Sequence, residues 1–271
     1  MKKTLFWIVL VVSFFPAYSY ANDKQQAISV IVEDSAILEV YEHYQTMMKL
    51  GVEMAVDQAA KTYDKEINKE ELLVALDKAF DLESAKLELI SDLNQGLNEE
   101  QARLVSEWYQ SALGKKITEL EKDVEGRSQN FQSGQDASAI RLVLLEQLDE
   151  AVQGSKFGAG LTLSLQEVAI DFALSVAKED AKAMVEQQRA LMSQNEEQVR
   201  LMLQEAIFNS YVSLYAPLTD DQLREYVAFN ESHHGREYNR VIADSFGALV
   251  LGATQRYLES VKELVDTDKL S

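Results

Sequence analysis

Between residues 98 and 124, Leu104, Val105, Trp108, Tyr109, Ala112, Leu113, Ile117, Leu120 and Val124 recur at spacings of one, three and four. That is the period of an α-helix carrying one apolar stripe. Glu99, Glu100, Arg103, Lys115 and Glu119 occupy the other face, and Asn98 with Gln101 three residues on forms a capping pair at the start. The same period predicts helices over about 29–60, 69–94 and 136–152. It also predicts two longer helical stretches, about 161–215 and 219–266, the first interrupted at the polar run 193–198. The methionines fall on apolar stripes and read as core filler. Ala, Leu, Glu, Gln and Lys dominate, and Pro217 is the only proline after Pro16. The pattern therefore predicts an all-α fold.

The first residues follow a different logic. Lys2 and Lys3 precede an eleven-residue apolar run from Leu5 to Phe15, Pro16 follows, and Ser19-Tyr20-Ala21 places small residues at the −3 and −1 positions of a cleavage site. That order is a secretory signal peptide, residues 1–21, cleaved after Ala21. The apolar run is far shorter than the roughly 20 residues a membrane span needs. No cysteine follows it for lipid attachment. Short positive ends of this kind point to the bacterial periplasm as the compartment. A later apolar stretch, 157–177, has Glu167 and Asp171 in its middle. Mid-span carboxylates are costly in lipid, so it is expected to be a buried helix, and no transmembrane segment is expected in the mature chain.

Composition narrows the function classes. The 271 residues carry 26 Lys+Arg against 45 Asp+Glu, a net charge of −19. Cleavage after Ala21 removes two of the 26 basic residues and no acid, leaving −21 over 250 residues. So acidic a chain is not expected to bind nucleic acid or anionic lipid headgroups. The absence of cysteine excludes disulfides, thiolate metal sites and thiol catalysis.

The chain also resembles itself. Shifted by 121 residues, 97–117 falls on 218–238 with five identities in 21 positions: Leu97/Leu218, Gln101/Gln222, Arg103/Arg224, Ser111/Ser232 and Gly114/Gly235. Asn98 meets Thr219, so each copy has a capping residue followed by Gln. Glu99-Glu100 meets Asp220-Asp221, acids at the positive end of each helix. Trp108 meets Phe229, Lys115 meets Arg236, and Leu87, Ile90 and Leu93 meet Phe208, Tyr211 and Leu214. Two similar multi-helix units related by internal duplication are expected, 22–134 and 135–271, with the linker-like run 126–136 at their boundary. Turns at Gln95-Gly96 and Ala216-Pro217 would join antiparallel helices in each unit.

The stretches from Trp108 to Lys115 and from Phe229 to Arg236, each with an aromatic, then Ser-x-x-Gly and a basic residue, resemble the bacterial domain of unknown function 2059. Both copies lack the proline that follows serine in that family, and the second lacks the second aromatic. The resemblance covers about 60 residues in each half. It implies an exported, all-helical protein and brings no catalytic residues.

Candidate chemistry is sparse. Gly114 and Gly235 are expected inside helices, where glycine costs about 1 kcal/mol relative to alanine. That cost suggests close approach of another helix or a kink, or else a groove lined by Ser111, Lys115, Ser232 and Arg236. Of the three histidines, His43, His233 and His234, the last two fall on the apolar stripe and are expected to be a half-buried, hydrogen-bonded pair. A metal site with Glu237 and a pH response are the alternatives. No nucleophile elbow, phosphate loop or dinucleotide fingerprint occurs. No catalytic, cofactor-binding or metal residue is therefore assigned, and no cofactor is expected. The reading that follows is a non-enzymatic periplasmic interaction or scaffold protein, whose partner is another protein or a small apolar ligand held between helices. A metal-dependent hydrolase and a chaperone-like holdase are the competing readings.

Overall fold

A computed structural model describes residues 17–63, 68–123, 137–176 and 179–268, and the regular structure among them is entirely helical. The first half contributes α1 (Ala17–Asp34), α2 (Ile37–Tyr63), α3 (Lys69–Ala79), α4 (Leu82–Gly96), α5 (Glu99–Gln110) and α6 (Ala112–Lys122). The second contributes α7 (Ala139–Val152), α8 (Gly154–Val176), α9 (Glu179–Leu214), α10 (Asp220–Glu231) and α11 (His233–Asp268). The signal-peptide residues 1–16 and the linker-like run 126–136 lie outside the described residues.

Several stretches expected to be continuous are broken by side-chain caps. The helix expected over 29–60 breaks at Ser35 and Ala36, and that over 69–94 breaks at Asp81, whose carboxylate accepts from the Ser84 N–H at 2.8 Å. The helix over 98–124 breaks at Ser111, and the stretch over 219–266 breaks at Ser232. Asp81, Ser111 and Ser232 each offer a side-chain oxygen to an N–H three residues on, which competes with continuation of the helix. The polar run 193–198, expected to interrupt the long stretch, sits inside the 36-residue α9. Polarity alone does not end a helix made of good helix formers.

Two apolar cores form, and each takes its last helix from the other half. The first joins Ile28, Ile31 and Val32 of α1, Tyr41 of α2, Leu76 of α3, Leu89 and Leu93 of α4 and Val105 of α5 to Tyr238, Val241, Phe246, Leu249 and Val250 of α11. The second joins Leu144, Leu145 and Leu148 of α7, Val212 of α9 and Leu223 and Val227 of α10 to Leu113 and Ile117 of α6. Burying one such side chain stabilises the fold by about 1.5–3 kcal/mol, so each exchanged helix carries much of its host core. Gly96 permits the α4–α11 crossing, because a Cβ there would lie 2.4 Å from a Val241 methyl. Polar contacts tie the halves as well. Lys116 Nζ donates to Gln222 Oε1 (2.9 Å) and to the Pro217 carbonyl (3.2 Å), and Arg256 donates to the Ala79 carbonyl (3.1 Å).

Helix α8 departs from the expectation of a buried helix. It lies against α9, and only 17% of its most apolar stretch, Gly154–Leu174, is buried. By length and composition that stretch is long and apolar enough to cross a membrane. Its N-terminal part also packs on α11 and sends Leu161 into the first core, with Phe157 and Leu165 against it.

Candidate functional site

At the junction of the two cores, α5 and α10 cross through their aromatic residues. Trp108 stacks on Phe229 with ring centroids 4.3 Å apart and planes 6° from parallel, and on Tyr226 at 5.8 Å and 4°. Beside this stack lies a cavity of about 320 Å³, within the range of small-molecule sites. Residues from α2 and from each of α5 to α11 line it, so both halves contribute.

The lining is aromatic with one carboxylate. Glu121, near the end of α6, accepts through Oε1 from the hydroxyls of Tyr215 (2.8 Å) and Tyr226 (3.0 Å). Tyr109 donates to the Tyr238 hydroxyl at 2.8 Å. Asn230 donates to the Tyr226 carbonyl (2.9 Å) and accepts from Asn239 (2.9 Å), which fixes the floor between α10 and α11. Burial holds these tyrosines in the neutral form. It pushes Tyr238 up to about 12, with Tyr109 and Ser35 pulling the other way. Tyr109, Tyr215 and Tyr226 stand well above the ordinary phenol value, through burial first and then the charge of Glu121 or a neighbouring tyrosine. Tyr211 is raised by burial, then by Asp149 and Glu121. Neutral phenols are hydrogen-bond donors, and here Tyr215 and Tyr226 donate to Glu121 and Tyr109 to Tyr238, which fixes the wall of the cavity.

The sequence-predicted residues fall elsewhere. Ser111 and Ser232 are N-caps of α6 and α11, accepting from the N–H of Gly114 (2.9 Å) and Gly235 (3.0 Å). The two caps have nearly equal backbone angles, φ −66°, ψ 159° and φ −63°, ψ 160°. The glycines stand in the first turn after each break. A Cβ on Gly114 would lie 2.0 Å from the Trp108 carbonyl oxygen, and one on Gly235 2.1 Å from that of Phe229. The kink, and not another helix, is what demands glycine. Lys115 and Arg236 are exposed, and none of Ser111, Lys115, Ser232 and Arg236 lines the cavity.

His233 is exposed, and its Nε2 lies 3.3 Å from Gln101 Nε2. His234 is half-buried beside the Phe229 ring, at 5.8 Å. Burial lowers its pKa, the neighbouring His233 adds to this, and Glu100 opposes it. Glu237 pairs with Arg240 at 3.2 Å. Among the described residues, no group of three His, Asp or Glu is placed to hold a metal ion. His43 is half-buried on α2 and does not line the cavity.

Sequence reasoning missed Glu121 and its tyrosines. The signal was present: Glu121 lies four residues after Ile117 and beside Leu120, an acid adjoining an apolar stripe. Tyr211 and Tyr215 are likewise one helical turn apart. No protein-family model, curated protein or solved structure matches this chain.

Proposed function

We propose that the chain is an exported, non-enzymatic binding protein, made of two copies of one helical unit, that holds a small and largely apolar molecule in the cavity between them. The cavity carries this reading. It is aromatic and roomy, and it is built where both halves meet through the equivalent residues Trp108 and Phe229.

Duplication is supported element by element. Helices α5 and α10 begin and end 121 residues apart, both with a capping box. The breaks at Ser111 and Ser232 share one geometry, and both glycines meet the carbonyl six residues earlier. The exchange of α6 and α11 follows from a two-fold arrangement, because Ile117 enters the second core while its counterpart Tyr238 enters the first. The resemblance to the domain of unknown function 2059 rests on the aromatic, Ser-x-x-Gly and basic positions of 108–115 and 229–236, and on it we read both halves as divergent copies of that family. Export to the periplasm is supported by the order Lys2-Lys3, apolar run, Ser19-Tyr20-Ala21.

Two measurements test the reading. Mass spectrometry of the periplasmic fraction should find a chain beginning at Asn22; an uncleaved chain in the membrane fraction overturns the export reading. Neopentylbenzene should raise the melting temperature of the protein, and Ala243→Phe, which fills the cavity, should abolish the rise. An equal rise in the variant places binding elsewhere.

A holdase reading has one observation in its favour. Met184, Leu191, Leu201 and Met202 are exposed along α9, with Met47 and Met54 exposed on α2. Flexible apolar side chains of this kind suit promiscuous contact. Met184→Lys/Met202→Lys should then lose any suppression of aggregation of an unfolded test protein.

A further inference from the structure

We infer that α9 pairs antiparallel with α9 of a second copy of the chain, along the stripe from Met184 to Leu201. The inference is independent of the cavity and concerns the outer face of the α8–α9 hairpin. Three observations carry it. First, Met184, Gln187, Leu191, Gln194, Gln198 and Leu201 are all exposed and recur at alternating spacings of three and four. That is the seam of a helix that packs along another helix. Second, this seam and the flanking Gln188, Asn195 and Met202 carry no charge, in a chain with 26% charged residues. The charges of the same stretch lie off the seam: Arg189 pairs with Asp171 of α8, and Arg200 pairs with Glu196 and Glu197. A face that meets its own copy gains from this, because like charges brought together are repelled. Third, the seam is self-complementary. A two-fold axis passing between residues 192 and 193 sets Met184 against the partner's Leu201, Gln187 against the partner's Gln198 and Leu191 against the partner's Gln194. Apolar ends meet apolar ends, and amides that both donate and accept meet amides. The anchoring of α9 selects the antiparallel sense. Phe208, Tyr211 and Val212 fix its C-terminal end at the second core. A parallel pair would set two bodies of charge −19 side by side, whereas an antiparallel pair sets them at opposite ends of the seam. The seam is about 26 Å long and one helix wide, smaller than a standard interface, so the dimer is reversible. It covers apolar side chains of α9 that are more than half exposed in one copy, without calling on an unfolded client.

The chain has no cysteine, so introduced thiols report only their own contacts. Met184 and Leu201 lie about 26 Å apart along one helix, too far for a disulfide within a chain. On mild oxidation of the purified protein, Met184→Cys/Leu201→Cys should form a covalent dimer at least about fivefold more readily than either single variant. Equal crosslinking by Met184→Cys alone overturns the antiparallel pairing, and a ladder of larger species overturns a closed pair. For the parent, sedimentation equilibrium should show a mass rising toward twice that of one chain between about 1 and 100 µM, the range of a small interface. Leu191→Lys/Leu201→Lys should hold the mass at one chain with unchanged circular dichroism, because both side chains are exposed. A parent that stays at the mass of one chain throughout overturns the inference. Flotation of that single chain with phosphatidylcholine vesicles, abolished by Leu191→Lys/Leu201→Lys, would give the stripe to a lipid surface instead and overturns it equally.

Discussion

At the residue scale, Gly114 and Gly235 are the described glycines whose Cβ would run into backbone. Each lets a cap turn the backbone so sharply that a carbonyl from the preceding helix fills the space of a Cβ. Alanine raises helix propensity but must displace backbone, which does not yield as a flexible side chain would. Gly114→Ala and Gly235→Ala should each lose about 1–3 kcal/mol in urea unfolding, the range typical of overpacking; an unchanged midpoint would show that the kink relaxes without cost. His234 makes a prediction of opposite character. Its counterpart in the first half is Leu113, which is buried in the second core. Burial favours the neutral imidazole, so the unfolded chain binds a proton more readily than the folded one near the ordinary histidine value. Stability should therefore fall as the pH drops through that value toward the lowered folded pKa. His234→Leu should flatten this acid limb between pH 5 and 7, as read from unfolding midpoints across that range. The glycines were visible in the sequence as a repeated cost, while their partner, a carbonyl six residues earlier, was not. Sequence spacing gives which residues share a helix face, and a backbone break resets that spacing.

At the scale of elements, apolar periodicity gave the helices and missed their breaks. The stripe over 98–124 is real, yet it runs over two helices, because the Ser111 side chain caps α6 by accepting from the Gly114 N–H. Asp81 and Ser232 act in the same way. A Ser or Asp with a small residue three positions on, inside an apolar run, is the cue that separates two helices from one. The break between α7 and α8 has another cause. Gln153 adopts φ 52°, ψ 28°, the left-handed region that a side chain other than glycine enters at a cost. Asp149 compensates by accepting from the N–H of Ser155 (2.8 Å) and from its hydroxyl (2.5 Å). With the turn held by Asp149, Gln153→Gly should keep the structure and gain about 0.5–1 kcal/mol, relieving the left-handed strain. Calorimetry should show a raised melting temperature. A lowered one would mean that the glutamine side chain contributes more than its backbone costs. Legibility ended where side chains from distant elements meet. Glu121 reads as one acid among 45, and only the packing of α6 against α9 and α10 shows that it faces tyrosines.

On the scale of the whole molecule, the exchange of last helices decides how the protein folds. Core one without α11 loses Tyr238, Phe246, Leu249 and Val250, and core two without α6 loses Leu113 and Ile117. Each half alone then exposes apolar surface whose burial would help offset the conformational entropy of ordering its chain. The two sequence units are therefore units of descent, under the duplication proposed above, and not units of folding. Residues 22–134 and 135–271, produced separately, should each lack cooperative unfolding, and co-expression should restore a one-to-one complex with a single transition. Circular dichroism melts and analytical ultracentrifugation check both parts. The asymmetry of the cores sharpens the expectation. The 36-residue α11 inserts into the first core along much more of its length than the 11-residue α6 inserts into the second. Truncation after Ala243 should hence unfold residues 22–110 before the second core is disturbed. A fragment 22–134 that melts cooperatively alone would refute the exchange, and with it the placement of the cavity at a junction that requires both halves.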